Sequence, residues 1–195
     1  MRSRRHRGGS KSDMTEQQGK LPAKMPVEKS SAYWRKRRSS IYLFAARQIC
    51  RQQCGKTESV IDVGSNATPT LEWHRKTANR LVSLDLRRPY VADGVESIKS
   101  DFLQYEPESK FDLVTCFQVL EHVPDAEAFA RKLTDIGRIA VVSVPYKWAK
   151  GKCKYHIHDP VDERKMREWF GREPRFRYIA TELNTVARLI HVYKQ

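Results

Sequence analysis

The chain has 195 residues, of which 39% are hydrophobic, a length that suits one folded domain with an appendage. Its formal net charge of +14 favours anionic partners, but residues 1–38 hold twelve Lys and Arg against three Asp and Glu, so most of the excess lies there. No stretch approaches the roughly 20 apolar residues of a membrane span, and no apolar secretion signal is present. We therefore expect a soluble, cytoplasmic protein.

The composition changes at about residue 30. Residues 1–29 are rich in Arg, Ser, Gly, Gln and Lys and hold few apolar side chains, which predicts a disordered basic tail. The tail has two interpretations: a weak electrostatic anchor for nucleic acid or acidic surfaces, or a solubilising segment. Residues 30–195 are expected to form a single domain.

The four cysteines show no zinc-binding spacing. Cys50 and Cys54 lie one helical turn apart in a predicted helix over residues 30–54, which Ser30 or Ser31 can cap. Cys116 and Cys153 are isolated. We expect four reduced thiols and no structural metal.

Four short apolar segments are each followed by a polar or acidic group. They cover residues 59–63 with Asp62, 80–86 with Asp85, 95–102 with Asp101, and 111–116 with Gln118 shortly after. Buried parallel strands give such runs, and their carboxyl ends meet at one edge of a sheet. Ligand-binding groups are therefore expected to collect at that edge.

In this order the segments resemble class I, Rossmann-like S-adenosylmethionine-dependent methyltransferases over about residues 58–148. The matching sequences are Val-Ile-Asp-Val-Gly-Ser-Asn at 60–66, Leu-Val-Ser-Leu-Asp at 81–85, Lys-Ser-Asp-Phe at 99–102, and Phe-Asp-Leu-Val with Val-Leu-Glu-His-Val-Pro-Asp within 111–125. The resemblance implies an α/β fold with a doubly wound, mostly parallel seven-stranded sheet, a C-terminal antiparallel hairpin and an N-terminal helix.

The resemblance also divides the domain into parts. It implies a covering helix at 30–54, a cofactor-binding core at 58–145, a substrate loop and helix at 146–170, and a closing hairpin at 174–195. A helix over residues 70–79 is predicted after the first loop, with its positive end near the cofactor.

The first loop departs from the family pattern. Asn66 and Thr68 stand where glycines are common, and Pro69 follows. Asn tolerates left-handed backbone angles and Thr does not, so the loop is expected to hold the methionine end of the cofactor less closely.

By resemblance, the cofactor is S-adenosyl-L-methionine. Its expected contacts are Asp62, Gly64, Ser65, Asn66, Asp85, Leu86, Asp101, Phe102, Phe117 and Gln118. Among these, Asp85 would accept hydrogen bonds from the ribose hydroxyls, and Asp101 with Phe102 would meet the adenine. Gln118 would line the methyl-transfer end of the pocket.

Aromatic side chains are the candidates for the acceptor site. They are Tyr33, Trp34, Tyr42, Tyr146, Trp148 and Tyr155. Those of the N-terminal helix could instead pack that helix on the sheet. The loop after residue 145 follows a predicted strand, and loops in that position carry specificity.

His122, His156 and His158 are candidate general bases, because a neutral imidazole can accept a proton near pH 7. His122 could instead order the turn after the fourth strand. His156, His158 and Asp159 could form half of a metal site, but no third ligand has a convincing spacing, so no metal is predicted.

The expected reaction is methyl transfer to a hydroxyl or amine of a small-molecule or saccharide-type acceptor. One alternative is a nucleic-acid-binding protein or an RNA-directed methyltransferase that uses the basic N-terminal region. A second is a non-catalytic methyltransferase-like protein whose altered loop has lost tight cofactor binding.

Overall fold

The computed structural model describes residues 40–182 and 186–195. The predicted tail of residues 1–29 and the candidate pocket residues Tyr33 and Trp34 lie outside the described residues. Within the described ranges, no helix combines the length and the hydropathy that a membrane span needs.

A seven-stranded sheet organises the chain, in the order β3-β2-β1-β4-β5-β7-β6. The strands are β1 Ser59–Val63, β2 Arg80–Asp85, β3 Glu96–Lys99, β4 Phe111–Phe117, β5 Gly137–Pro145, β6 Phe176–Glu182 and β7 Val186–Lys194. Neighbours among β1 to β5 are parallel, whereas β7 pairs antiparallel with both β5 and β6. The predicted Rossmann-like sheet with a closing antiparallel hairpin is confirmed.

Three α-helices accompany the sheet in the part of the chain that the structure describes. They are α1 Ile41–Cys54, α2 Ala126–Asp135 and α3 Glu163–Phe170. Each begins at a side-chain cap: the Ser40 hydroxyl accepts a hydrogen bond from the Leu43 N–H at 3.1 Å, and Asp125 and Asp162 cap the later helices. Gly171 ends α3 in the left-handed conformation.

Both faces of the sheet are covered by apolar side chains. In β1, Val60 belongs to the core on the α1 face, and its neighbour Ile61 belongs to the core on the α2 and α3 face. Alternate side chains of a strand point to opposite faces, so a strand buried on both sides has a continuous apolar run. This explains why β1 is recognisable in the sequence.

The predicted helix over residues 70–79 is wrong. A short 3₁₀ turn, Pro69–Trp73, stands there and ends at His74. The Thr70 hydroxyl is tied to the Asp62 carboxylate, and the N–H of Arg80, the first residue of β2, donates to the Glu58 carbonyl. These bonds hold the segment at both ends, it forms a short turn instead of an α-helix, and the predicted helix dipole is not available there.

Candidate active site

The carboxyl ends of β1, β2, β4 and β5 meet at one edge of the sheet. Parallel sheets bind ligands outside this edge. Two groups of residues lie there. The first lies at the ends of β1 and β2 and in the loops that follow, and it holds most of the predicted cofactor contacts. The second comprises the segments after β4 and β5, which hold Gln118 and three of the predicted acceptor contacts, Tyr146, Trp148 and Tyr155.

Asp62 lies inside this edge rather than on its surface. Its carboxylate accepts hydrogen bonds from the hydroxyls of Thr115 at 2.6 Å and Thr70 at 2.5 Å. Burial raises the pKa of Asp62 to about 6, although the two hydroxyl hydrogen bonds oppose the shift. Asp62 therefore joins β1 to β4 and to the 3₁₀ turn.

Two features of the structure require glycine at position 64. Its φ of +75° lies in the left-handed region, and a Cβ built on it would lie 2.4 Å from Cγ2 of Val119. Val119 belongs to the segment that follows β4. Gly64, which the sequence analysis names as an expected cofactor contact, is therefore also a packing contact between two loops.

The bend of the first loop falls on Asn66 and Ala67. Their φ angles are +45° and +58°, whereas Thr68 has an ordinary φ of −84°. The predicted departure at Thr68 thus has no backbone cost, and the unfavourable conformation lies at Ala67 instead. The Ala67 N–H donates to the Arg88 carbonyl at 2.7 Å, which fixes this bend against the loop after β2.

Asp85 joins the same two loops. Its Oδ2 accepts from the N–H of Asn66 at 2.8 Å, and its Oδ1 accepts from the N–H groups of Arg87 and Arg88 at 2.7 and 2.8 Å. The Arg88 guanidinium donates in turn to the Asn66 side-chain oxygen at 2.8 Å. Ser65 adds hydrogen bonds to this unit through its hydroxyl.

Three further predicted cofactor contacts, Asp101, Phe102 and Leu86, differ in their surroundings. Asp101 caps a 3₁₀ turn by accepting from the Leu103 N–H at 2.9 Å. The Phe102 ring is buried against Phe129, with ring centroids 4.5 Å apart, so it packs the core. Leu86 is exposed beside Asp85.

Phe117, the last residue of β4, is buried beneath the loops. Its ring lies 6.5 Å from the Tyr42 ring and 6.0 Å from the Trp73 ring. Together with Asp62 and Gly64 it lines a small cavity under the first loop.

Gln118 begins a polar network at the methyl-transfer end. Its φ is +59°, and its Nε2 donates to the Ser143 hydroxyl at 3.2 Å. The same hydroxyl is hydrogen-bonded to the Tyr42 hydroxyl at 2.5 Å. Tyr42 is fully buried, so it reaches this end of the site through Ser143.

Arg188 of β7 completes the network, and the sequence analysis missed it. It is 1% exposed, its Nε donates to the Gln118 side-chain oxygen at 3.2 Å, and its Nη1 donates to Glu182 at 2.7 Å. Its guanidinium also lies 5.0 Å from the Tyr42 ring centre and 5.6 Å from that of Trp148. An arginine within a mostly apolar strand was the available sequence signal.

The segment after β5 folds onto the segment after β4. The Ile157 N–H donates to the Glu121 carbonyl at 2.9 Å, and Nδ1 of His122 is hydrogen-bonded to the Tyr155 carbonyl at 2.9 Å. Of the candidate acceptor residues, Tyr155 therefore contributes its backbone here. Burial lowers the pKa of His122, which keeps its ring neutral at pH 7.

The other two candidate histidines have different surroundings. Nδ1 of His156 is hydrogen-bonded to the Asp159 carboxylate at 2.8 Å, and its ring stacks on Trp148. Nε2 of His158 is hydrogen-bonded to the Val123 carbonyl at 2.7 Å, and its ring packs against Trp169 of α3.

Tyr146 and Trp148 diverge although they are close in sequence. The Tyr146 hydroxyl donates to Glu163 of α3 at 2.9 Å. The Trp148 indole N–H donates to the Ala187 carbonyl at 3.0 Å, which places the ring between His156 and Arg188. Trp148 therefore connects the histidines to the Gln118 network.

Glu121 is the second residue that the sequence analysis missed. Glu121, His122 and His156 each offer one potential metal-ligand atom, and these atoms lie within 4.8 Å of one another. Of the possible half site at His156, His158 and Asp159, only His156 belongs to this cluster, and the other two members come from the segment after β4. The four cysteines, in contrast, are free.

Comparison with known proteins places this geometry among methyl-transferring folds. The model of a family described as a methyltransferase domain matches residues 33–184. No curated protein gives a significant match to the sequence.

Solved structures share the fold at low sequence identity. The N-methyltransferase NodS from Bradyrhizobium japonicum, in complex with S-adenosyl-L-homocysteine, is similar with a TM-score of 0.68 and 14% identity over 87% of this chain and 96% of NodS. The 1,6-didemethyltoxoflavin-N1-methyltransferase of Burkholderia thailandensis gives a TM-score of 0.64 and 14% identity over 90% and 92% of the two chains. Magnesium protoporphyrin IX methyltransferase from Synechocystis, with bound S-adenosylmethionine, gives a TM-score of 0.61 and 15% identity over 87% of this chain and 84% of that enzyme.

Proposed function

The chain belongs to the class I, Rossmann-like S-adenosylmethionine-dependent methyltransferase family, and we propose that it transfers the cofactor's methyl group to a hydroxyl or amine of a small-molecule or saccharide-type acceptor. This proposal rests on two groups that lie at the same edge of the sheet. A backbone-bonded carboxylate, Asp85, stands at the end of β2, and a polar network around Gln118 stands at the end of β4.

Asp85 is the proposed ribose contact. A carboxylate has about four acceptor positions, and three backbone N–H groups use three of them at Asp85. One position therefore remains for a ribose hydroxyl. Gly64, Ser65 and Asn66 would face the methionine end. Asp101 and the exposed Leu86 would face the adenine, and Phe102 is left out because its ring packs in the core.

Gln118 and the network behind it are the proposed methyl-transfer end. The sulfonium supplies an activated methyl group, so the protein has to orient the acceptor and, for a hydroxyl, accept a proton. Ser143 and Arg188 hold the Gln118 amide in one orientation. Trp148 is the proposed acceptor contact, because its ring lies between the network and His156.

His122 is the proposed general base. Its side chain is 36% exposed, and its lowered pKa leaves the ring able to accept a proton at pH 7. The Tyr155 carbonyl can only accept a hydrogen bond, so Nδ1 carries the proton and Nε2 is the basic nitrogen. We no longer propose His158, because its ring packs against Trp169 and its Nε2 donates to a carbonyl.

The two alternatives make different predictions. A nucleic-acid-directed enzyme would use the basic residues before Ser40, which lie outside the described residues. A non-catalytic relative would follow from the unfavourable angle at Ala67. The small-molecule proposal is favoured by the NodS and toxoflavin-type enzymes, since their names describe N-methyltransferases and the second holds a small acceptor in its crystal structure.

Isothermal titration of the full chain tests the proposal. We expect micromolar binding of S-adenosylmethionine and S-adenosylhomocysteine and no binding of NAD, which shares the adenosine but not the sulfur-bearing end. Absence of binding by both sulfur compounds would support the non-catalytic alternative. Binding that strengthens when a short RNA is added, but not when sugars or phenols are added, would support the nucleic-acid alternative.

A further inference from the structure

A histidine and carboxylate cluster stands beside the proposed methyl-transfer end. Glu121 and His122 follow β4, and His156 lies in the loop after β5; their potential ligand atoms lie within 4.8 Å of one another. We propose that these three side chains bind one divalent transition-metal ion, such as Zn²⁺. The sequence alone predicted no metal, because these ligands come from two distant segments.

The hydrogen bonds of the two rings leave the same nitrogen for a metal. Nδ1 of His122 is paired with the Tyr155 carbonyl, and Nδ1 of His156 is paired with the Asp159 carboxylate. Both partners accept hydrogen bonds, so each Nδ1 carries the proton and each Nε2 has its lone pair available. Metal-bound histidines in proteins usually have this arrangement, with the second ring nitrogen held by a carbonyl or carboxylate.

The cluster is held in place before any metal binds. Asp159 is buried, and the ring of His156 is fixed between that carboxylate and the Trp148 ring. The Ile157 N–H donates to the Glu121 carbonyl, which joins the two ligand-bearing segments directly. The His122 and His156 ring centres are 4.7 Å apart. A metal would therefore meet positioned ligands rather than freely rotating side chains.

The potential ligand atoms have to move slightly closer together to bind one metal ion. Nε2 of His122 and Oε1 of Glu121 are 3.9 Å apart. Ligand atoms at about 2.0 Å from a tetrahedral zinc ion lie about 3.3 Å from one another. A pair separated by 4.8 Å, the upper limit in the cluster, would have to come closer by about 1.5 Å to reach this separation.

The ligand set indicates a site with open positions. Two imidazoles and one carboxylate make the three-ligand set of catalytic zinc sites, in which the fourth position takes water or substrate. Imidazole ligands favour a transition metal over Mg²⁺ or Ca²⁺. The exposed side of the cluster is that of His122, so the open position would face solvent and an entering acceptor.

If the proposed function holds, the metal makes an oxygen acceptor the favoured substrate. The ion would bind the acceptor hydroxyl at the open position and lower its pKa, and the proton would leave to solvent. The oxygen lone pair would then form the new C–O bond, while the S–C electron pair returns to the neutral thioether. His122 would act as a metal ligand in this case, and no separate base is needed.

Metal binding by the full chain tests the inference. Chelator-treated protein is titrated with Zn²⁺ for stoichiometry and with Co²⁺ for its absorption spectrum. We expect one ion per chain and no sulfur-to-cobalt charge-transfer band, which distinguishes the cluster from the cysteines. Glu121→Gln and His156→Ala should each weaken binding at least roughly tenfold, and Asp159→Asn should weaken it by about 10–100-fold through the orientation of His156.

His158→Ala is the matched control, because His158 lies in the same loop but is hydrogen-bonded to the Val123 carbonyl. It should leave the affinity within about twofold. The inference is wrong if no ion binds at micromolar concentrations, if a thiolate band appears, or if His158→Ala weakens binding as much as His156→Ala. Melting curves of the metal-free variants show that each is folded.

The titration with S-adenosylmethionine is repeated with and without Zn²⁺. Cofactor binding without metal binding would remove this inference and leave the proposed function in place. Metal binding without cofactor binding would do the reverse.

Discussion

The two halves of the site are built by different means. The loops after β1 and β2 are held by backbone groups, with three N–H donors on Asp85 and two left-handed residues at Asn66 and Ala67. The segments after β4 and β5 are held largely by side chains: the buried Arg188 donates to Gln118, and the rings of His122 and His158 are hydrogen-bonded to the carbonyls of Tyr155 and Val123. The first half depends on the path of the chain, and the second depends on which side chains stand together.

This difference suits the two roles that we propose for these halves, cofactor binding and acceptor binding. Backbone groups can hold an invariant cofactor whatever the neighbouring side chains are. A side-chain network can change with each substitution, so it suits an acceptor that differs between relatives. Substitutions should therefore act differently in the two halves. On the acceptor side, removal of a buried charge should lower stability most, and on the cofactor side, added volume or an altered backbone angle should do so.

The largest effect is expected at Arg188. Arg188→Ala leaves the Glu182 carboxylate and the Gln118 amide without this donor, so the free energy of unfolding should fall by about 3–5 kcal/mol. Urea denaturation measures the change. Arg177→Ala is the control, because its side chain is 60% exposed and its nearest carboxylate oxygen, on Glu163, is 3.9 Å away; it should change stability by less than about 0.5 kcal/mol.

The double variant Arg188→Met, Glu182→Gln tests the cause of this loss. Methionine has a length similar to that of arginine, and the two substitutions remove the buried charge together with its partner, so the double variant should regain most of the stability that Arg188→Ala loses. Equal losses in Arg188→Ala and in the double variant would show that the hydrogen bonds of Arg188 itself hold the acceptor side together, and that neither side-chain volume nor an unpaired Glu182 charge accounts for the loss.

Gly64→Ala should have the next largest effect. The new Cβ would meet Val119 at 2.4 Å and would be placed on a φ of +75°, which together should cost about 3 kcal/mol. Gly151→Ala separates the two causes, because Gly151 has a φ of +83° with no atom within 4 Å of its Cβ position. We expect about 1 kcal/mol there. Equal costs in thermal or urea unfolding would remove the packing role assigned to Gly64.

The same contrast explains what the sequence could and could not predict. The strands, and the places of Asp85 and Gly64 at strand ends, were predictable, because an apolar run followed by an acid or a glycine is a local pattern. The sequence could not show that residues 70–79 lack an α-helix. That segment is held by the hydrogen bonds of Thr70 to Asp62 and of Arg80 to Glu58, which are tertiary contacts and leave no local pattern. Arg188 and Glu121 were missed because their partners lie on distant segments.

A pH-dependent effect is expected at Asp62. Its pKa is about 6 in the folded protein and 3.8 as an unperturbed group, so the folded state holds its proton over a range in which the unfolded state has lost it. The contribution of Asp62 is therefore greatest below pH 4 and falls by about 3 kcal/mol as the pH rises to about 6. Asp62→Asn should remove this fall.

Urea unfolding of both proteins at pH 4, 5, 6 and 7.5 measures the difference. Wild type minus variant should decrease across the first three values and stay level afterwards. Parallel profiles would show that the carboxylate stays ionised in the fold and that its two hydroxyl partners outweigh burial.

The smallest effect is expected at Asp85. A comparison of this variant with a control distinguishes a role in cofactor binding from a role in loop stability. Asp85→Ala should weaken S-adenosylmethionine binding by about 1–3 kcal/mol, since the ribose acceptor is lost and the N–H groups of Asn66, Arg87 and Arg88 lose their partner. Asp112→Ala is a matched control, because Asp112 also accepts two backbone N–H groups, from Glu58 and Ser59, near the start of β4. That variant should lose stability but bind the cofactor as the wild type does. If calorimetry gives the same affinity for both variants, Asp85 acts only as a brace between loops, and the ribose must be bound elsewhere on the sheet edge.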